Sequence, residues 1–288
     1  MSTPTTTSVT VLGDGVRAAA LARVLTDHAT VIVWGEQAPW LPRVVRADTA
    51  RAAMASSVIL MCADNPEDAT RILAEALPHV TARDVVNLTS GTDAQARRLA
   101  AQVTERGGRY LHGALMGHPE HVGKSDTVLV YSGSPELFHQ HHGLLVTLGS
   151  ATYLGPDPST ATLYETAMLA FAWATLTGYL HSAALLRTAE IPATTTAPLL
   201  THWMSTTIAS VITDYAQQID NRRYPGEEEW LELDAPLMDH LIQTADQRGI
   251  DSRLPKLISS LTRAGISAGS GLESFASLIE IIHASTGE

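Results

Sequence analysis

The chain has 288 residues, which is long enough for a large hydrophobic core and for two domains. Its formal net charge of −11 argues against a nucleic-acid partner or an anionic membrane surface. The single cysteine, Cys62, excludes an internal disulfide and is typical of a reducing compartment. The first residues are polar and uncharged, so they resemble neither a signal peptide nor a transit peptide, and we expect a cytoplasmic protein.

A glycine turn follows the first predicted strand. Residues 8–12 are a β-branched run, the sequence Gly-Asp-Gly-Val-Arg-Ala follows at 13–18, a helical pattern continues to about 26, and 30–34 is a second predicted strand. This order is typical of a dinucleotide-binding unit, in which glycines let the backbone approach a pyrophosphate at a helix N-terminus. We therefore predict that Gly13, Gly15, Val16 and Arg17 bind a dinucleotide. A glycine turn without a ligand is the structural alternative.

Glu36 lies just beyond the second predicted strand, roughly twenty residues after the turn. An acid there can accept hydrogen bonds from the adenosine ribose diol, and it repels a 2′-phosphate. This residue alone favours NADH over NADPH. Asp14 adds a second negative charge near the pyrophosphate, which Arg17 could offset.

Strands and helices continue to alternate to about residue 156. Further strands are predicted at 58–62, 85–88, 110–115, 127–131 and 151–154, and further helices at 66–77, 92–106 and 134–148. This alternation predicts a mostly parallel sheet covered by helices on both faces, and thus a nucleotide-binding domain over 1–157. Open α/β sheets bind ligands at the carboxyl ends of their strands. Ala63 and Asp64 follow one strand and Thr89 the next, and we predict that all three contact the cofactor.

Residues 158–288 show a helical pattern only. Helices are predicted at 160–189, 195–219, 231–249, 255–264 and 272–283. The first is apolar nearly all round, so it is either buried or crosses a membrane. Because it is rich in alanine, threonine and tyrosine, and only Arg187 flanks it as a basic residue, we predict a buried interdomain helix. Its one carboxylate, Glu165, lies a turn inside the N-terminal end, where a charge is costly unless it is paired or serves chemistry.

Taken together, these segments resemble the imine reductase family, a branch of the β-hydroxyacid dehydrogenases. The resemblance covers nearly the whole chain and rests on NLTSGT at 87–92, YLHGALM at 110–116, YSG at 131–133, LYETAML at 163–169, QID at 218–220, YPG at 224–226 and RLP at 253–255. It implies an α/β chain with an N-terminal Rossmann domain, a long interdomain helix and an all-α C-terminal domain. It also implies a homodimer with swapped helical domains, with each active site between the nucleotide domain of one subunit and the helices of the other.

The resemblance implies hydride transfer from NAD(P)H to the carbon of a C=N bond in a small-molecule imine, and we expect a cyclic imine. The family carries a carboxylate, usually Asp, where hydroxyacid relatives carry lysine, and the aligned residue here is Glu165. A carboxylate stabilises a cationic iminium, and a carboxylic acid can protonate the nitrogen. The same alignment places Trp173 and Met116 near the substrate, and Thr89 and Ser90 near the nicotinamide. We assign Ser90 to the substrate. A helix-dipole or salt-bridge role for Glu165, and core packing for Trp173, are the structural alternatives.

Three departures from the family pattern affect the predicted cofactor. Family members usually carry Trp-Asn-Arg-Thr after the second strand, and this arginine binds the 2′-phosphate of NADPH. Here the sequence at 34–37 is Trp-Gly-Glu-Gln, which favours NADH unless Arg43 or Arg46 replaces the arginine. The departures from the family pattern at Asp14, Glu36 and His112 leave two alternative functions open. One is a relative that performs a non-redox step such as cyclisation or dehydration, and the other is a dimeric binding protein whose cofactor site has decayed.

We predict no metal site and no hydrolase site. The histidines at 112, 118, 121, 139, 141 and 142 are not joined by a cysteine or carboxylate cluster at a closed spacing. The G-x-S-x-G match at 265–269 has no preceding strand, and no aspartate follows it before His283, the only downstream histidine.

Overall fold

A computed structural model describes residues 8–35 and 41–284. Within them, eight strands form one sheet in the order β3-β2-β1-β4-β5-β6-β7-β8. The strands are β1 Ser8–Leu12, β2 Thr30–Trp34, β3 Val44–Arg46, β4 Val58–Met61, β5 Asp84–Asn87, β6 Arg109–Met116, β7 Val128–Gly133 and β8 Thr152–Tyr153. The pair β6–β7 is antiparallel and the other neighbours are parallel, so the predicted α/β class with a mostly parallel sheet is confirmed.

Helices cover both faces of this sheet. They are α1 Gly15–Leu25, α2 Ala50–Ala53, α3 Pro66–Ala76, α4 Asp93–Thr104 and α5 Pro135–Leu145. Buried side chains of α1 and α5 pack with Val9 and Val11 on one face. Those of α3 and α4 pack with Ile59 and Val85 on the other. The two layers arise because β1, β4 and β5 carry apolar side chains on both faces, as parallel strands require.

Helices form the remainder of the described chain. They are α6 Thr160–Arg187, α7 Ala193–Trp203, α8 Ala209–Asn221, α9 Leu231–Gln247, α10 Arg253–Gly265 and α11 Leu278–Ala284, and a π-helical turn, Met204–Ile208, joins α7 to α8. The chain divides into two compact units, Met1–Phe171 and Ala172–Glu288, so α6 belongs to both. The domain boundary was predicted after residue 157, where the strand pattern ends and only helices follow. It stays a prediction.

Two short elements, β3 and α2, lie between β2 and β4 where the sequence predicts nothing. β3 has only three residues, two of them exposed, so it shows no apolar alternation. α2 has only four residues, and its start is fixed by the Thr49 side chain, which accepts a hydrogen bond from the Ala52 amide. Elements this short depend on tertiary packing more than on local pattern.

The long helix α6 begins where the sequence predicts. The Asp157 carboxylate accepts a hydrogen bond from the Ser159 amide at 3.0 Å, just before the first turn. Only Ala161, Thr162 and Glu165 are buried along α6. Elsewhere the single chain leaves residues such as Phe171 and Leu180 exposed, so the burial predicted for the rest of the helix stays a prediction about the dimer. By length and composition alone, α6 is able to cross a membrane.

Candidate active site

The predicted glycine turn joins β1 to α1 with backbone that only glycine adopts easily. Gly13 has φ +149° and Gly15 has φ +89°. A Cβ atom at Gly13 would overlap the carbonyl oxygen of Cys62 at the end of β4. The first turn of α1 contains no acidic residue, so its free amides present positive partial charge. The turn fits a dinucleotide pyrophosphate, which needs close backbone approach and amide donors.

The carboxyl ends of β4 and β5 are joined by hydrogen bonds between predicted cofactor residues. The Ala63 amide donates to Thr89 Oγ1 at 2.9 Å, and the Thr89 amide donates to Asn87 Oδ1 at 2.9 Å. Asn87 Nδ2 in turn donates to the Tyr110 hydroxyl at 3.0 Å. Tyr110 lies 3.1 Å from Nδ1 of His112. Burial lowers the pKa of His112 to about 4, so this histidine is neutral at physiological pH and contacts Tyr110 without adding charge.

The Ser90 hydroxyl donates a hydrogen bond to Glu165 Oε1 at 2.5 Å. The two residues come from the end of β5 and from α6, and both belong to the first compact unit. The Glu165 side chain is 5% exposed, and this burial raises the pKa of its carboxyl group. The Ser90 hydrogen bond and the charge of Arg17 lower the same pKa and only partly compensate. The carboxyl group is therefore held in one place and is easier to protonate than an exposed glutamate.

Arg17 follows the glycine turn and acts on Glu165 through its charge. Its Nη2 atom is 3.4 Å from the Leu115 carbonyl oxygen, one residue before Met116, the half-buried last residue of β6. The charge of Arg17 lowers the pKa values of both Glu165 and Cys62. Burial outweighs it at Cys62 and raises the pKa of the thiol to about 12, so this thiol is neutral. Arg17, Ser90, Glu165 and the end of β6 thus share one polar neighbourhood.

Two further predicted cofactor residues lie at the glycine turn. Val16 is exposed in the first turn of α1, and Asp64 is exposed beside Gly15. Trp173 belongs to the second compact unit, and its side chain is 67% exposed. Glu36 lies outside the described residues.

A cavity of about 380 Å³ opens beside Gly35, at the carboxyl end of β2. Arg46 on β3 and Arg71 on α3 both line it. Arg71 also lies 3.8 Å from Asp14, the acid that the sequence suggested Arg17 could offset. The sequence offers no signal for Arg71, because one arginine on an amphipathic helix does not reveal what it faces.

No group of three or more histidine, cysteine, aspartate or glutamate side chains within residues 8–35 and 41–284 is arranged to hold a metal ion. The polar features of this sheet edge that matter for catalysis include Glu165 with its Ser90 hydrogen bond, the neutral His112 and the glycine turn.

The strand order and the glycine turn define a dinucleotide-dependent protein with a Rossmann domain. Residues 157–284 match the family model described as NADPH-dependent reductive aminase-like, C-terminal domain. The chain is also 31% identical over 281 residues to the NADPH-dependent reductive aminase of Aspergillus oryzae, covering 94% of this chain and 95% of that protein. The chain therefore belongs to the imine reductase and reductive aminase family, whose members reduce imines to amines with NAD(P)H.

Solved structures give the same result. A reductive aminase from Aspergillus terreus in complex with NADPH and ethyl levulinate has a TM-score of 0.89 at 30% identity, over 96% of this chain and 100% of that one. An imine reductase from Bacillus cereus has a TM-score of 0.85 at 28% identity, over 96% and 99%. A variant of the Myxococcus stipitatus imine reductase in complex with NAD⁺ has a TM-score of 0.86 at 27% identity, over 96% and 99%. The predicted Rossmann domain, NAD(P)H dependence and imine reductase activity are confirmed.

Proposed function

We propose that Glu165 is the acid that protonates the nitrogen of a small, preferably cyclic, imine, and that Ser90 holds this acid in position. The observation that carries the proposal is the partly buried hydrogen bond between the two side chains. Because Ser90 donates to Oε1, the other carboxyl oxygen, Oε2, is left to carry the proton. The raised pKa increases the protonated fraction near neutral pH, as a general acid requires.

During the reaction Glu165 changes from a neutral acid to a carboxylate, the form that stabilises a cation. When bound, the dihydronicotinamide supplies the hydride that adds to the C=N carbon. Proton transfer leaves a carboxylate beside the cationic nitrogen, and that carboxylate stabilises the iminium until the amine forms. The Ser90 hydroxyl stabilises the same anion by donating to it. Arg17 adds a cation in the first turn of α1, and it would lie near the negatively charged phosphates of a bound cofactor.

The proposed activity is tested by mixing the purified protein with NADH or NADPH and simple five- and six-membered cyclic imines. Loss of the reduced cofactor's absorbance, matched by amine formation, is the expected result. Imine consumption without cofactor oxidation would instead indicate a non-redox enzyme. A parallel assay with a ketone and an amine separates imine reduction from reductive amination, both of which are represented among the similar proteins.

Ser90→Ala is expected to move the alkaline limb of the kcat/KM–pH profile to higher pH. The hydroxyl lowers the pKa of Glu165 by stabilising its anion, so its removal raises that pKa and keeps the acid protonated over a wider range. Profiles of the variant and the unchanged protein, measured with the same cyclic imine, cancel the titration of the substrate. Ser90→Thr retains a hydroxyl and is expected to preserve the profile. An unshifted limb in Ser90→Ala would remove Ser90 from the proposal.

We further propose that the chain forms a homodimer with swapped helical domains, in the cytoplasm and without a membrane or nucleic-acid partner. Support comes from the apolar side chains that the single chain leaves exposed on its helices. On α6 to α9 these include Leu169, Phe171, Trp173, Leu176, Leu180, Leu199, Trp203, Ile212, Leu237 and Leu241. Large apolar side chains exposed in this number are typical of a surface that another molecule covers. A membrane would cover α6 alone, whereas a second copy of the chain accounts for α7 to α9 as well.

Light scattering after size-exclusion chromatography is expected to give twice the 30.8 kDa chain mass. Leu180→Glu, which places a charge at a side chain 65% exposed in the single chain, is expected to shift the mass towards that of one chain. Gln243→Glu adds the same charge at an exposed polar position of α9 and is expected to leave the dimer intact. A monomeric unchanged protein would contradict the dimer, and extraction only with detergent would favour the membrane alternative.

A further inference from the structure

The cavity beside Gly35 lies where a Rossmann domain receives the adenosine ribose. Strands β1 and β2 are parallel, with Leu12 opposite Trp34, and the Gly13 amide donates to the Trp34 carbonyl oxygen at 3.0 Å. The residue after β2 and the glycine turn are therefore neighbours. In this fold, the position after β2 meets the 2′ substituent of the ribose, while the turn meets the pyrophosphate. A group attached to the ribose 2′-oxygen would point into the cavity of about 380 Å³.

Two arginines line this cavity from different elements, Arg46 from β3 and Arg71 from α3. One guanidinium group can donate to two phosphate oxygens at once, so it suits a phosphate dianion better than a neutral hydroxyl. Two acids, Asp48 and Glu75, line the same cavity and balance its charge when no anion is bound. A phosphate would have to compete with them for the arginines.

The ion pairs of Arg71 are of the kind that a phosphate can replace. Arg71 lies 3.2 Å from Asp68 and 3.8 Å from Asp14, and its side chain is 39% exposed. Pairs this exposed contribute little net stability. They nevertheless orient the guanidinium near Gly35 before any ligand binds, because Asp14 itself lies against Gly35.

We propose that Arg46 and Arg71 bind the 2′-phosphate of NADPH, so that β3 and α3 replace the arginine that family members carry directly after β2. The inference rests on the cofactor part of the proposed function and not on the role of Glu165. It also opposes the preference for NADH that Glu36 suggested from sequence. Arg46 and Arg71 would then determine the cofactor preference from about ten and thirty-five positions beyond the place where family members carry their arginine.

Isothermal titration with 2′,5′-ADP and with 5′-AMP measures the phosphate contribution without any turnover. The unchanged protein is expected to bind 2′,5′-ADP at least about tenfold more tightly than 5′-AMP. Arg46→Ala and Arg71→Ala are each expected to weaken 2′,5′-ADP binding about tenfold, with 5′-AMP affinity unchanged within about twofold. Melting curves establish that both variants fold.

Arg43→Ala is the matched control. Arg43 is an arginine of the same loop region, but it pairs with Asp27 at 3.1 Å on the surface and does not line the cavity. It is expected to leave both affinities unchanged. Equal loss in Arg43→Ala, equal loss of 5′-AMP in the other variants, or an unchanged protein that binds the two nucleotides equally or binds neither would overturn the proposal. Selective 2′,5′-ADP binding without imine turnover would instead sustain the phosphate site and overturn the proposed reaction.

Discussion

Replacing Glu165 by glutamine is expected to lower kcat for reduction of a cyclic imine by roughly 10²–10⁴-fold, the usual contribution of a general acid. The amide has nearly the same shape, and its oxygen can still accept the Ser90 hydrogen bond. It has no acidic proton to give and no negative charge to set beside an iminium. Steady-state kinetics with saturating cofactor measure the loss, and cofactor titration is expected to give an affinity within about twofold of the unchanged protein.

Two further measurements distinguish lost chemistry from lost structure. Glu165→Asp, which shortens the side chain to the residue usual in the family, is expected to retain part of the activity, because the carboxyl group survives while its reach changes. The Glu165→Gln variant is expected to melt no lower than the unchanged protein at pH 8. The raised pKa means that ionising Glu165 destabilises the folded chain. This cost is complete above the raised pKa, shrinks as pH falls below it, and is absent below the ordinary pKa of glutamate. A Glu165→Gln variant with undiminished kcat would remove Glu165 from the reaction.

The sequence predicts the architecture well because the signals of this fold are local. The β-branched run before the glycine turn and the alternation that follows predict β1, α1, β2 and the strands from β4 onward in the right order. The long helix was predicted at 160–189 and is α6 Thr160–Arg187, since the residues before it supply a cap and its interior contains no proline. Binary pattern and caps depend on near neighbours, so one sequence is enough to show them.

The site is harder to predict because its contacts join distant parts of the chain. Ser90 and Glu165 were both placed near the substrate, but their hydrogen bond depends on how the start of α6 meets the end of β5. The pairing of Asp14 with Arg71 was missed for the same reason, and Arg17 faces the end of β6 instead. Charge type and spacing suggest which residues are unusual, whereas the packing of the sheet decides which of them meet.

Gly13→Ala is expected to destabilise the chain by about 2–4 kcal/mol and to weaken cofactor binding by more than about tenfold. The reason lies in two features of one position. Its φ of +149° is a conformation that side chains rarely adopt, and an added methyl group would overlap the Cys62 carbonyl oxygen. That oxygen belongs to backbone between β4 and the following loop, and the Cys62 amide is itself bonded to the Leu12 carbonyl oxygen at 2.9 Å. Neither partner can move without opening the sheet beside the turn.

Gly143→Ala shows whether this cost is specific to the turn. Gly143 lies within α5, and a Cβ atom there would meet no other atom within 4 Å. Alanine is expected to stabilise that exposed helical position by about 0.5–1 kcal/mol, because glycine loses more conformational freedom on folding. Melting temperature and NAD(P)H fluorescence titration of both variants provide the comparison. If Gly13→Ala melts and binds like the unchanged protein, the backbone at this turn is not held against β4, and the close approach of a pyrophosphate inferred from it fails as well.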